Sequence, residues 1–249
     1  MYAFLTLIRY KKRYIYFALT AMALHRIPLI FSRKIKFHKT LGCGLGGTFS
    51  KKADWQQYGL LTVVENKSGG AVLSQNIETI RSRIYGKFIT GWWRFFGCEL
   101  YTLVLKPIEG HGLWDGREAF GQLPPKSDYE GTIGILTRAT LNGSKRTRFW
   151  EHVEGVSNDM RKADGYLFSV GIGETPFLRQ ATFSVWESKA KMKAFAYGMH
   201  NHVDVIQKTR KEAWYKEDMF VRFQILRADG TLNGKNPLNI TFLNEKSHS

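Results

Sequence analysis

The chain repeats one short pattern at long range. Gly112-Leu-Trp-Asp-Gly-Arg-Glu-Ala-Phe120 resembles Gly230-Thr-Leu-Asn-Gly-Lys-Asn-Pro-Leu238, so the two copies begin 118 residues apart. A glycine cluster followed by a strand-like run also occurs twice, at Leu41–Gly46 and at Val170–Gly173. Repetition of this kind is typical of a chain built from copies of one structural unit. The sequence therefore predicts two similar halves.

Each half is predicted to follow the order β-α-β-β-α-β. The strands are predicted from apolar–polar alternation and from short apolar runs. They are placed at about 3–9, 35–43, 57–65, 98–106, 132–140, 165–173, 180–187 and 219–227. The helices are placed at about 14–24, 70–84, 146–163 and 188–215, the last one broken near Gly198.

This order is the ferredoxin-like unit. The predicted fold class is α+β, with tandem ferredoxin-like repeats that form an α/β domain of the dimeric-barrel type. The N-terminal half is assigned to residues 1–128 and the C-terminal half to residues 129–249. Such a barrel leaves an apolar cavity between sheet and helices, which is a natural site for a large flat or long ligand.

Positive charge is concentrated at the start of the chain. Residues 1–52 contain eleven Lys and Arg and no acidic residue, so they supply +11 of the net charge of +16. One interpretation is a solvated basic surface. The sharper interpretation is peripheral attachment to an acidic membrane, because anionic headgroups attract such a surface.

Compartment and membrane topology follow from the cysteines and the apolar runs. Cys43 and Cys98 are the two cysteines, too few for a disulfide scaffold, so we expect a cytoplasmic protein. The apolar runs Met1–Ile8 and Ile15–Leu24 fall short of the roughly 18–20 residues that cross a bilayer. We therefore expect a protein that lies at most on the surface of the inner membrane.

Several segments together resemble the spheroidene monooxygenase family of bacterial carotenoid biosynthesis. The likeness covers about residues 4–238, is strongest in the second half and is looser between residues 66 and 100. The segments that carry it are Gly42-Cys-Gly44, Gly112-x-Trp-x-Gly-Arg117, Leu136-Thr-Arg-Ala-Thr140, Phe149-Trp150, Gly171-Ile-Gly-Glu174, Thr182-Phe-Ser-Val-Trp186, Phe195-Ala196, His202 and Trp214-Tyr-Lys-Glu-Asp-Met-Phe-Val-Arg-Phe223.

The resemblance implies a haem-dependent monooxygenase. Its substrate would be an acyclic carotenoid, which receives a keto group through successive hydroxylations. The family also implies an external electron donor such as ferredoxin. The sequence contains no flavin or nicotinamide motif that would supply electrons internally.

Haem iron needs a side chain with a lone pair as its axial ligand. Of seven histidines, His202 is the one that falls in the family pattern, and at helical spacing it shares a face with Ile206 and Ala213. We predict His202 as the iron ligand and keep His200 as the second choice. Cys43, between two glycines, is a thiolate alternative, and a structural histidine in place of a ligand is another alternative.

Other candidate site residues are cationic or aromatic. Arg138 lies on an apolar strand, where it could donate hydrogen bonds to dioxygen or bind a haem propionate; the alternative is an ion pair with Glu174 or Glu217. Arg222 has the same two interpretations. The aromatic residues that could line a haem or polyene pocket, or be plain core, are Trp150, Trp186, Trp214 and Phe223.

Three other functions fit parts of the sequence. A non-catalytic haem or carotenoid carrier would use the same barrel, and so would a haem-degrading or peroxidase-type enzyme. Nucleic-acid binding would exploit the positive charge, but it needs aromatics interleaved with basic residues, which the basic residues 1–52 show only at Tyr10–Tyr16. We therefore expect no nucleic-acid partner. The oligomeric state stays open, because a tandem pair could close its own barrel.

Overall fold

The fold was obtained as a computed structural model, which describes residues 1–46, 52–65, 75–141, 157–175, 179–198 and 215–238. Each half supplies four strands. Those of the first half are β1 Tyr2–Arg9, β2 Ile35–Gly44, β3 Ala53–Val64 and β4 Glu99–Gly112. Those of the second half are β5 Ile133–Leu141, β6 Tyr166–Thr175, β7 Arg179–Trp186 and β8 Tyr215–Gly230.

The helices are α1 Ile15–Leu24, α2 Arg26–Ile30, α3 Ile77–Phe95, α4 (helical residues 157–162) and α5 Lys189–Gly198. The side chain of Asn76 caps α3 by accepting a hydrogen bond from the backbone N–H of Glu78. Gly86 kinks α3 with a φ of 78°. In the part of the chain that the structure describes, no helix has both the length and the apolar character to cross a bilayer.

All eight strands form one closed antiparallel barrel in the order β1-β3-β2-β6-β7-β5-β8-β4. In both halves, the last strand pairs with the first, the first with the third, and the third with the second. The halves join where β2 meets β6 and along the long β4–β8 ladder. The predicted fold class is therefore confirmed. The division at 128/129 falls between β4 and β5 and stays a prediction.

The interior of the barrel is a solid apolar core. Alternate residues of every strand point inward, as Leu5, Leu103, Leu136 and Phe183 do, and all four are buried. The centre of the barrel is therefore occupied by the protein's own side chains, and the outer face of the wall is the place to look for a ligand site.

The sequence repeat corresponds to two equivalent hairpins. Trp114 pairs with Arg117, and Leu232 pairs with Lys235, each around a two-residue turn with positive φ. The carboxylate of Glu217 accepts hydrogen bonds from the backbone N–H groups of the first turn. Glu99, which precedes Glu217 by 118 residues, accepts the equivalent hydrogen bonds from the second turn. The repeat thus preserves a polar contact as well as a turn.

Helices α1–α3 cover the outer face of the first half with aromatic side chains. Tyr58 of β3 accepts a hydrogen bond from the Trp93 indole at 3.1 Å and shares another with His25 at 2.9 Å. Tyr85 of α3 lies over the wall and bonds the hydroxyl of Thr6 at 2.8 Å. His25 and Thr6 are fully buried. The outer face of the first half is therefore closed.

Candidate functional site

The outer face of the second half carries a row of small side chains. Strand register places Gly171, Thr182 and Thr137 side by side on β6, β7 and β5. Thr137 is exposed although it lies in the middle of β5, and the Thr182 hydroxyl is buried without a hydrogen-bond partner among the described residues. We call these three residues the trough. Small side chains and an unsatisfied hydroxyl make it a candidate ligand site.

The pseudo-symmetry of the barrel shows what distinguishes the trough. Thr6 pairs with Thr102 on β4, and Thr137 pairs with Phe220 on β8. Because Thr102 and Phe220 are 118 residues apart, they are equivalent positions of the repeat, and their partners Thr6 and Thr137 are therefore counterparts. Tyr85 covers Thr6 and leaves it fully buried. Among the described residues, no such aromatic side chain covers Thr137. The two halves share a fold, but within the described ranges Thr137 of the second half is uncovered, whereas its counterpart Thr6 of the first half is covered.

Aromatic residues form one side of the trough. Trp186 on β7 is buried, with its ring 5.2 Å from that of Phe195 on α5 and 5.8 Å from that of Tyr166 on β6. Its indole N–H donates to the Ser184 hydroxyl at 3.1 Å. Ile133 and Ile135 of β5 complete this apolar wall. The prediction for Trp186 as a pocket residue is compatible with this position.

A charged cluster lies next to this apolar wall, because Arg222 of β8 pairs with Ile135 of β5. Glu109 of β4 is almost fully buried, and its carboxylate accepts hydrogen bonds from Arg222, from Lys189 at 2.9 Å and from the Ser127 N–H at 2.7 Å. The Arg222 guanidinium also stacks 4.7 Å above the Phe220 ring. Two cations therefore share one carboxylate. We call Glu109, Lys189 and Arg222 the charged triad.

The charged triad contains two cations and one carboxylate, so one positive charge is not neutralised within it. The Arg222 Nε is buried and has no partner in the described part of the chain. Burial alone would raise the pKa of Glu109, but the hydrogen bonds from Lys189 and Arg222 outweigh it and lower that pKa. The carboxylate is therefore ionised at neutral pH, and the triad carries a net positive charge. A ligand carboxylate would complete it.

Arg138 points to the other side of the wall, because neighbouring residues of a strand face opposite ways. Its guanidinium donates to Glu217, lies 3.4 Å from an oxygen of Asp115 and 3.8 Å from one of Glu174, and stacks 5.5 Å from the Trp114 ring. The ion-pair alternative with Glu174 and Glu217 is therefore present. The structure does not bring Arg138 to the trough, and a catalytic role for it stays a prediction.

Two other candidates face the barrel interior. Phe223 is fully buried there, with its ring 5.1 Å from that of Phe120. Cys43 is also buried in the interior, and burial raises the pKa of its thiol to about 12. A thiolate at Cys43 is therefore disfavoured. Phe223 contributes to the core on the opposite face of β8 from Arg222.

Four predicted residues lie outside the described part of the chain: Trp150, His200, His202 and Trp214. Sequence analysis also missed Glu109, Lys189, Thr137 and Thr182. An acidic residue inside the apolar run of β4 was the available signal for Glu109, because a buried carboxylate requires cationic partners. For Thr137 and Thr182 there was no such signal, since threonine is common in strands.

Curated relatives of this chain are named spheroidene monooxygenase. One from Cereibacter sphaeroides is 34% identical over 218 residues, which are 87% of this chain but 64% of the relative, less than two thirds of its length. One from Rhodobacter capsulatus is 31% identical over 222 residues, 88% of either chain. One from Rubrivivax gelatinosus is 32% identical over 84% of this chain and 75% of the relative. No protein-family model matches the chain.

Solved structures similar to the chain include an aldoxime dehydratase. It is 11% identical, aligns over 90% of this chain and 80% of its own, and has a TM-score of 0.56. A complex of aldoxime dehydratase with butyraldoxime gives a TM-score of 0.55 at the same identity. Similarity at this level concerns the fold, and it supports the tandem α/β barrel.

Proposed function

The chain belongs to the spheroidene monooxygenase family, and on that premise we propose that it is a haem-dependent monooxygenase of an acyclic carotenoid. The product would carry a keto group, formed by successive hydroxylation at one carbon. The observation that carries the proposal is the exposed Thr137 on the outer face of the second half, which no aromatic side chain of the described residues covers. Its counterpart Thr6 in the first half is covered by Tyr85, so the described parts of the two halves differ at this position.

The described residues around the trough fit a haem. A porphyrin is flat and apolar, and it carries two propionates at one edge. Ile133, Ile135 and Trp186 are buried and would form an apolar base beside the porphyrin, and the small residues of the trough leave room for it. The charged triad supplies a buried, unpaired donor in the Arg222 Nε for a propionate. We assign the axial ligand to His202 and keep His200 as the alternative.

Bound haem would supply the activation of dioxygen for insertion of an oxygen atom into a carbon–hydrogen bond. Each hydroxylation consumes one dioxygen, two electrons and two protons and releases one water. A second hydroxylation at the same carbon gives a gem-diol, which loses water to form the ketone. The electrons would come from an external donor of the ferredoxin type.

The protein's own residues would position the substrate and keep water out. Trp186 and Phe195, which are buried against each other, would form a fixed apolar edge of the pocket beside the polyene. The Thr182 hydroxyl, buried in the trough, is a donor for an oxygen atom in the pocket. Arg222 and Lys189 would hold a carboxylate at the rim, with Glu109 fixing their orientation. Exclusion of bulk water protects the reacting carbon from side reactions.

We further propose a cytoplasmic protein that attaches peripherally to an acidic membrane. The support is the charge of residues 1–52, which contain eleven Lys and Arg and no Asp or Glu. A carotenoid dissolves in the bilayer rather than in water, so an enzyme at the membrane surface would be near its substrate.

Filling the trough should block haem binding. Thr137→Trp places an indole over Gly171 and Thr182, and overpacking of this kind costs about 1–3 kcal/mol of binding free energy. We expect the affinity for haem to fall about five- to 150-fold, and the haem content after expression with haem supply to fall with it. The control is Thr231→Trp, which adds the same ring at an exposed position next to the second hairpin, Leu232–Lys235. Equal haem content in the two variants would contradict the location of the site.

Turnover tests the function itself. Purified protein with haem, reduced ferredoxin, ferredoxin reductase and spheroidene in detergent should form a ketone that contains oxygen from ¹⁸O-labelled dioxygen. The measurement is mass spectrometry of the extracted pigment. Haem binding without an oxygenated product would favour the carrier alternative. Loss of the porphyrin absorbance on addition of ascorbate or peroxide, with the polyene unchanged, would favour the haem-degrading or peroxidase-type alternative.

A further inference from the structure

Helix α1 has an unusual surface for a helix on the outside of a protein. Its sequence, Ile-Tyr-Phe-Ala-Leu-Thr-Ala-Met-Ala-Leu, contains no charged residue. Only Ala18 and Ala21 are buried, whereas the large side chains of Tyr16, Phe17, Leu19 and Leu24 are exposed. An ordinary amphipathic helix does the reverse, with its large apolar side chains toward the core. The outer side of α1 is therefore available for an apolar partner.

The apolar surface continues onto α2 and the end of α3. The Phe17 ring packs 4.6 Å from Phe96, which lies 4.9 Å from the Phe95 ring, so α1 and α3 form one continuous patch. We call the outer sides of α1, α2 and the C-terminal half of α3 the helical face. Its most exposed large side chains are Tyr16 (81%), Phe31 (80%), Phe95 (82%) and Ile30 (64%). A contiguous apolar patch of this kind marks an interaction site.

Basic residues border the helical face. Lys11, Lys12 and Arg13 precede α1, Arg33 and Lys34 follow α2, and all five are exposed. Within the described residues, none of Lys12, Arg33 and Lys34 forms an ion pair with a carboxylate. On α3, the exposed cations Arg83, Lys87 and Arg94 extend the border. The helical face thus combines apolar side chains at its centre with unneutralised positive charge at its rim.

We propose that the helical face binds the surface of a bilayer rich in anionic lipid. Aromatic and aliphatic side chains would enter the boundary between headgroups and acyl chains, and the rim cations would contact lipid phosphates. A second copy of this chain is a poor occupant, because it would bring another rim of positive charge against the first. This inference deepens the membrane attachment proposed above by assigning it to particular residues.

The helical face is separate from the trough. It covers the first half of the barrel, whereas the trough lies on the outer face of the second half. Binding to lipid therefore does not require haem or carotenoid. Variants in the helical face should weaken membrane binding and leave oxygenation of detergent-dispersed carotenoid unchanged.

Co-sedimentation with vesicles tests the proposal. At low salt, wild-type protein should bind vesicles made of phosphatidylglycerol and phosphatidylcholine. It should bind vesicles of pure phosphatidylcholine much more weakly. The double variant Ile30→Ser/Phe31→Ser should bind the anionic vesicles at least about tenfold more weakly. The control is Leu113→Ser, which removes a partly exposed leucine on the β4 side of the first hairpin and should bind as wild type. Unfolding midpoints of the variants verify that each is folded.

A second variant addresses the charged rim. Arg33→Gln/Lys34→Gln changes two exposed side chains without altering apolar area, so it should fold normally and lower affinity for anionic vesicles several-fold. Wild-type binding should also weaken as salt rises. The proposal is overturned if the variants bind like wild type, or if neutral and anionic vesicles bind equally. It is also overturned if light scattering shows a dimer that Ile30→Ser/Phe31→Ser converts to monomer. Failure here leaves the oxygenase proposal intact, because no haem or substrate is present.

Discussion

Replacing Glu109 by Gln is expected to destabilise the protein by about 3–5 kcal/mol. The Glu109 side chain is 2% exposed, and it is the only carboxylate among the described residues that pairs with Lys189 and Arg222. Glutamine keeps the shape of the side chain but not its charge. Two cations would then remain buried without a counter-ion, and the cost of their desolvation would no longer be offset.

Urea unfolding followed by tryptophan fluorescence measures this change. The matched control is Glu65→Gln, because Glu65 pairs with Lys36 at 3.2 Å where both side chains are about half exposed. Pairs of that kind contribute at most about 1 kcal/mol. If Glu109→Gln and Glu65→Gln lower the free energy of unfolding equally, the charged triad is not the structural element described here.

Stability in acid provides a second readout of the same residue. Because the pKa of Glu109 is lowered in the folded protein, its contribution is present above the unfolded pKa of about 4.3 and is lost as pH falls through the folded value. Wild-type stability should therefore decrease below about pH 4.3. In Glu109→Gln, the decrease should be shallower, since one of the carboxylates responsible for it is gone.

The fold could be predicted from the sequence because strand period and turn chemistry are local properties. Alternation placed all eight strands within a few residues, and the Asp115-Gly116 and Asn233-Gly234 turns revealed the duplication. The boundaries that differed have long-range causes. β4 extends to Gly112 because that residue pairs with Met219 of β8, and β8 begins at Tyr215 because that residue pairs with Leu141 of β5. No local pattern contains that information.

The site was harder to predict than the fold. Alternation shows that Arg222 and Phe223 face opposite ways, but which face is inside the barrel depends on how the sheet closes. Phe223 was therefore grouped with pocket residues although it belongs to the core. Glu109 and Arg222 are 113 residues apart, and their pairing follows from the β4–β8 register alone. An ion pair of Arg138 with Glu174 or Glu217 was one of two interpretations of the sequence, and the separation of Arg138 from the trough is visible only in the barrel.

Removing the axial ligand should abolish haem binding. The imidazole of His202 is the side chain that we assign to the iron, and an alanine side chain has no lone pair with which to bind it. We expect haem content to fall at least about tenfold in His202→Ala while the unfolding midpoint of the apoprotein stays near that of wild type. His38→Ala, a half-buried histidine on β2 of the first half, is the control and should retain haem.

The optical spectrum of protein expressed with haem supply, recorded for wild type, His202→Ala, His200→Ala and His38→Ala, is the measurement that decides the matter. If haem binds on the outer face of the second half through His202, wild type, His200→Ala and His38→Ala should show a Soret band. The band should be lost in His202→Ala. A wild-type protein without a Soret band, or a band that persists in His202→Ala, would contradict the account.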